Sequence, residues 1–337
     1  MTDYKKLGMP LPNEIAAEDI PLTLQFVEKI NEKCREVGHQ QLALFLQGPV
    51  ACGKTATLRN LNKIAKFADK EIIFLNAKVF AKDYGNPIPM MNNEGEWILS
   101  PVIDKQLANR QKNGIVVADE CDRIDDVHLQ VMLENTVDQA DNTSTVVFMG
   151  NGKFSQGTCR VPQNFLTRCA SFIVWDENPT QWEIQNGVDN LFFDLRKKIG
   201  RPDAYYACQR PIATALQKRS CFWAAKAYDV VSENKEFYPV FSGMLHALFE
   251  EQTANAVDVR FELKRMNLPS LNELAEGDAR TANDPQTMQA HIDMLIDTAT
   301  CEFDWKIIVD YSRRQPFAEL RKALEERAIK AGYATAV

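Results

Sequence analysis

Residues 42–55 read LALFLQGPVACGKT, and the fold turns on them. Leu42–Gln47 is a continuous apolar run closed by one amide, the texture of a strand covered on both faces. Gly48–Thr55 follows as G-x-x-x-x-G-K-T, and Thr55–Ala68 carries helical periodicity. Strand, glycine-framed loop and helix in that order is the setting in which this pattern has chemical content. The glycines let successive backbone N–H groups curl around a phosphate, and the helix behind them presents unpaired N–H groups and a positive dipole end. Gly48, Pro49, Val50, Ala51, Cys52, Gly53, Lys54, Thr55 and Ala56 are therefore the candidate phosphate-binding residues. Lys54 is expected on the β- and γ-phosphate oxygens of ATP, and the Thr55 hydroxyl on Mg²⁺.

Four further runs have the same continuous character: Glu71–Ala77, Gly114–Glu120, Ser144–Asn151 and Ser171–Asp176. Helical patterns separate them over Thr55–Ala68, Pro101–Lys112 and Val127–Gln139. Strands alternating with helices imply a parallel sheet flanked by helices. Beyond about residue 178 no strand-type run remains, and helical segments are expected at Gln181–Ile199, Ile212–Val231, Pro239–Val257, Pro285–Thr298 and Phe317–Ala331. Leu268–Pro285, rich in Asn, Asp, Glu, Pro and Gly, reads as a loop. The expected division is an α/β nucleotide-binding domain with a helical lead-in over 1–178, and a helical lid with a C-terminal helical extension over 179–337.

The run Gly114–Glu120 delivers Asp119 and Glu120 to the C-terminal end of a strand, where ligands sit in open parallel sheets. Asp119 is the candidate second Mg²⁺ ligand. Glu120 is the candidate group that polarises the attacking water. Asn151, closing Val146–Asn151, can orient that water without competing for its proton. Arg168 stands just before the fifth run, placed to reach a neighbouring subunit's nucleotide and stabilise charge on the transferred phosphoryl group; Arg160 is the nearby alternative.

The 337 residues suit about two domains. With 45% apolar and 25% charged residues the chain is of ordinary globular type, long enough to bury a core without staples. A net charge of −7 argues against a generally basic nucleic-acid binder. The eight cysteines form no Cys-x-x-Cys pair and the four histidines no His-x-x-x-His spacing, so a zinc site is not expected. No run is long and apolar enough to span a membrane, and the N-terminus does not read as a signal peptide, so a cytoplasmic location is expected.

These motifs together resemble the AAA+ ATPases, and within them the MoxR-like group. Asp83-Tyr-Gly-Asn-Pro-Ile-Pro with Glu96-Trp97 and Pro101 resembles that group's D-x-x-G-x-P element and following Trp. Val127–Asp138, Gly150-Asn151 and Val161-Pro with Leu166-Thr-Arg168 resemble its next three elements, and Trp182–Val188 the opening of its lid. Ser242-Gly-Met, Glu250–Ala256 and Tyr311–Pro316 resemble later lid segments. Lys218-Arg219-Ser220 resembles the second sensor, which implies Arg219 as a contact to the γ-phosphate of its own subunit; the Pro of the pattern is Lys here, and Arg210 beside Pro211 is the alternative. The resemblance implies a three-layer αβα P-loop core with strand order 5-1-4-3-2 followed by an all-helical lid. It also implies ATP hydrolysis with Mg²⁺, a homo-oligomeric ring that is usually a hexamer, chaperone-like remodelling of a client, and a von Willebrand A-domain partner. A nucleic-acid motor or loader, or a chelatase motor subunit, stand as alternatives; the cluster Arg196-Lys197-Lys198 with Arg201 is the feature that a nucleic-acid role would use.

Overall fold

The computed structural model describes residues 4–77, 88–91, 97–100, 114–137, 143–155, 161–176, 181–188, 200–208, 218–278, 280–281, 285–299, 301–314, 322, 324–327 and 329. Its strands are β1 (Glu14–Ile15), β2 (Ala43–Gln47), β3 (Ile72–Asn76), β4 (Ile88–Met91), β5 (Trp97–Ser100), β6 (Ile115–Asp119), β7 (Thr145–Gly150) and β8 (Cys169–Val174). The principal helices are α1 (Ile20–Glu36), α2 (Lys54–Arg59), α3 (Asp126–Thr136), α4 (Gln163–Leu166), α5 (Lys218–Glu233), α6 (Tyr238–Leu248), α7 (Glu251–Arg265), α8 (Leu271–Ala275), α9 (Pro285–Thr298) and α10 (Glu302–Arg313). The chain divides into two compact units, Met1–Ala254 and Asn255–Val337.

The first unit holds a parallel sheet ordered β1-β8-β2-β7-β6-β3. Counting only the five strands expected from the apolar runs, the order is 5-1-4-3-2, as the AAA+ resemblance implies. The added strand, β1, covers the free edge of β8 through Glu14↔Ile173 and Ile15↔Val174. Every residue of β2, β7 and β8 is buried, which is why those runs do not alternate. One face of the sheet, through Ala43, Phe45, Val116, Ala118, Val146 and Phe148, packs with Leu129, Met132 and Leu133 of α3 and Phe165 and Leu166 of α4. Successive strand residues point to opposite faces, so Leu44, Leu46, Val117 and Val147 face the other way. On that side α1 packs along β2 and β7, α5 along α1, and α6 along β8. Helices, sheet and helices make the three-layer αβα core. Buried Asn31 of α1 fixes the start of β2 by accepting from the Leu42 N–H at 2.7 Å and donating to the Leu42 carbonyl at 3.0 Å.

The N-terminal segment is pinned at several points. Asn13 donates to the Ser171 carbonyl at 2.7 Å, and the Ala17 N–H donates to Asp176 at 3.2 Å. Arg201 forms a two-pronged ion pair with Glu14 at 2.8 Å on each side. Tyr205 donates to the same carboxylate and accepts from the Leu11 N–H.

Several elements differ from expectation. The helix after the phosphate loop ends at Arg59, not Ala68; the Asn60 side chain bonds back to the Ala56 carbonyl at 2.8 Å, and 3-10 turns follow at Leu61–Lys63 and Ala65–Phe67. The expected Pro239–Val257 helix is two, α6 and α7, because Phe249 is extended after its N–H closes α6 on Leu245. The Leu268–Pro285 loop contains α8, closed by a Ser270–Glu273 capping box. An antiparallel hairpin, β4–β5, and helix α10 were not expected. Pro101–Lys112 lies outside the described residues, as do residues 189–199, 212–217 and most of Phe317–Ala331.

The second unit has its own core of Leu274, Met288, Ile292, Leu295, Trp305, Ile308, Val309, Tyr311 and Leu324. Among the described residues no helix is long and apolar enough to cross a membrane.

Candidate nucleotide site

Parallel strands in register end together. Gln47 of β2 pairs with Gly150 of β7, and Ala118 of β6 with Phe148 of β7. The phosphate loop after β2, Asn151 after β7 and the Asp119–Glu120 pair after β6 therefore leave the sheet at one rim, the C-terminal one.

The loop is wound tightly. Ala51 and Gly53 both have left-handed backbones, with φ of 65° and 93°. A Cβ on Gly48 would lie 2.6 Å from the Val174 carbonyl oxygen, so only glycine lets the loop leave β2 beside the end of β8. The Lys54 ammonium occupies the centre of the loop: it donates to the carbonyls of Gly48 and Pro49, each at 2.9 Å, and lies 3.3 Å from the Cys52 sulfur. Lys54 is buried, Thr55 half-buried and Val50 exposed. A buried ammonium with three donors, in a loop of small residues, is the donor set a polyphosphate requires. Anionic phosphate oxygens bind such a cation more strongly than neutral carbonyls do, so a nucleotide can displace both loop carbonyls.

Across the rim, Asp119 Oδ1 accepts from the Glu120 N–H at 2.9 Å. Glu120 has φ 57°, a left-handed backbone that costs a non-glycine residue on the order of 1 kcal/mol or more. Its carboxylate faces Arg123 Nε at 3.5 Å. Among the described residues no group of three His, Cys, Asp or Glu could hold a metal by itself. Mg²⁺ bound with a triphosphate needs only one or two protein oxygens beside the phosphates, a number that the Thr55 hydroxyl and Asp119 could supply.

Sequence reasoning missed Asp122. Its carboxyl is buried, and Oδ2 accepts from the N–H groups of Asn151 at 2.7 Å and Gly152 at 2.6 Å. A Cβ on Gly150 would stand 2.8 Å from Asp122 Cγ. Burial holds this carboxyl above the ordinary carboxylate range, against the lowering effect of the Gly152 and Asn151 amides. The available signal was the glycine of Gly150-Asn151, a residue type that marks close approach.

Two arginines stand elsewhere. Arg168 precedes the first residue of β8, and its carbonyl accepts from the Ala43 N–H at 3.2 Å. It therefore sits at the N-terminal rim, a strand length of roughly 16 Å from its own phosphate loop. Its Nη1 donates to the Asn164 carbonyl at 3.0 Å. Arg219, near the start of α5, lies over Trp223 at 5.9 Å, and Trp223 Nε1 donates to the Gln40 carbonyl ahead of β2. Arg210 and Arg160 lie outside the described residues.

No protein-family model matches the chain, and no curated protein matches it. Among solved structures it is similar to NtrX from Brucella abortus, at 15% identity over 92% of this chain and 67% of that one, with a TM-score of 0.30. It is similar to AMPPCP-bound DnaA from Aquifex aeolicus, at 14% identity over 90% and 92%, with a TM-score of 0.29. It is also similar to the Aeropyrum pernix Orc1 protein in complex with DNA, at 13% identity over 92% and 82%, with a TM-score of 0.28. Superpositions this loose leave the fold resting on the strand order and the phosphate loop described above.

Proposed function

We propose that the chain is an ATPase of the AAA+ type, of the MoxR-like group, that couples ATP hydrolysis to remodelling of a client as a homo-oligomeric ring. One observation carries this reading: the Lys54-centred loop after β2 shares a rim with Asn151, after the adjacent strand β7, and with Asp119 and Glu120, at the end of β6 one strand further on. The loop amides and Lys54 bind the phosphates, the Thr55 hydroxyl and Asp119 would hold Mg²⁺, and the ion would neutralise charge on the phosphates. Glu120 takes a proton from the attacking water and Asn151 orients that water. Arg168 stands too far from its own loop to serve it, which supports a role on a neighbour's nucleotide. Residues 179 onward then supply the lid and its extension, and a von Willebrand A-domain protein is the partner that the MoxR-like resemblance suggests.

The test is steady-state ATP hydrolysis with Mg²⁺ by the full chain, alongside its assembly state with and without ATP. Turnover that Glu120→Gln removes supports the reading. A folded sample that neither hydrolyses ATP nor changes assembly on binding it refutes the reading.

A further inference from the structure

Asp122 joins two turns that the chemistry needs in fixed relation. It lies on the turn that carries Glu120, and its Oδ2 holds the two consecutive N–H groups of the turn that carries Asn151. Gly150 completes the contact by having no Cβ where Asp122 Cγ packs. The other oxygen, Oδ1, is buried without a hydrogen-bond partner. A buried carboxyl with one oxygen unsatisfied is a poor device for stability. What it provides is geometry: two short charge-assisted bonds fix the peptide from which the Asn151 side chain departs.

We infer that Asp122 is a positioning residue for ATP hydrolysis, clamping the Asn151 turn to the Glu120 turn so that the two groups handling the attacking water keep one spacing. The inference rests on the ATPase reading above and deepens it. Asp122 acts through the Asn151 turn that it holds.

The test is a double-variant cycle of Asp122→Asn and Asn151→Ala in the full chain, reading kcat, KM and equilibrium nucleotide binding, with thermal melting as the folding control. Asp122→Asn keeps a neutral amide oxygen for the two N–H groups but loses the charge and puts an N–H₂ where Oδ1 has no partner; it is expected to lower kcat about 10- to 100-fold, the usual cost of a disturbed supporting contact, with KM and nucleotide affinity within about threefold. Adding it to Asn151→Ala is expected to cost less than about twofold more, because the path through Asn151 is already gone. Gly150→Ala, which pushes on the carboxyl from the other side, is expected to reproduce the kcat loss and stands in if Asp122→Asn does not fold. Unchanged kcat in a folded variant, or losses that multiply in the double variant, overturn the inference and leave the ATPase reading intact. A parent protein without ATPase activity overturns both.

Discussion

The Lys54 ammonium donates to the carbonyl oxygen of Gly48, the first residue of the loop that Lys54 closes, at 2.9 Å. Lys54→Ala removes the only charged donor described in that loop and leaves the Gly48 and Pro49 carbonyls facing the phosphate path. Hydrogen bonds to charged groups are worth about 1.5–3 kcal/mol, so nucleotide affinity should fall at least roughly tenfold. Titration calorimetry with an ATP analogue checks this; unchanged affinity would sink the loop assignment.

Glu120→Gln should keep nucleotide binding and lower turnover by about 10²–10⁴-fold, the range of general-base catalysis. The left-handed backbone at this position adds a second expectation. Glu120→Gly relieves strain of order 1 kcal/mol, so it should melt no lower than the parent while being inactive. A clear drop in melting temperature would count against strain stored at this residue.

Arg168 sits at the opposite rim from Gly48, so its contribution should cross between molecules. Arg168→Ala should bind ATP normally and lose hydrolysis only in the assembled form. Mixing it with Glu120→Gln should restore part of the activity, since some interfaces then pair an intact Glu120 with an intact Arg168. Absence of rescue across all mixing ratios would show that Arg168 acts within its own subunit and not across an interface.

In the second unit, buried His291 has Nε2 2.9 Å from the Pro269 carbonyl and Nδ1 3.1 Å from the Tyr311 hydroxyl, which in turn donates to the Arg280 carbonyl. Asp278 and Arg280 pair beside this group. Burial lowers the His291 pKa below 6.5, and the Pro269 carbonyl opposes the shift only in part. Below about pH 6.5 the unfolded chain takes up a proton that the folded unit resists, so stability is full above that pH and falls as pH drops through it. Trp305 fluorescence should show the unit melting earlier at pH 5.5 than at pH 7.5. His291→Gln should flatten that dependence, and an equally steep slope in the variant would assign it to other groups.

The five core strands were legible as continuous apolar runs; β2, β7 and β8 are buried along their whole length, while the edge strand β3 buries only Ile73. Their ends were displaced by a residue or two, most at the fifth, which begins at Cys169 instead of Ser171. Chain pattern could not show that Asn60 would turn its amide onto Ala56, or that Phe249 would split a helix whose two arms are both periodic. Lys54, Asp119, Glu120 and Asn151 were legible because each ends a strand or follows its loop. Asp122 was not, because its partners are backbone amides of a different turn, and no side-chain pattern encodes them. Arg219 was placed by resemblance, and its stacking on Trp223 ties it to the other end of β2.

The edge strand β1 has a consequence for biosynthesis. Asn13 bonds to Ser171 and Glu14 pairs with Ile173, so β1 finds its place only after β8, made more than 150 residues later, has left the ribosome. Until then β1 has no template to zip onto, and completion of the sheet waits on contacts far apart along the chain, which are the slow ones to form.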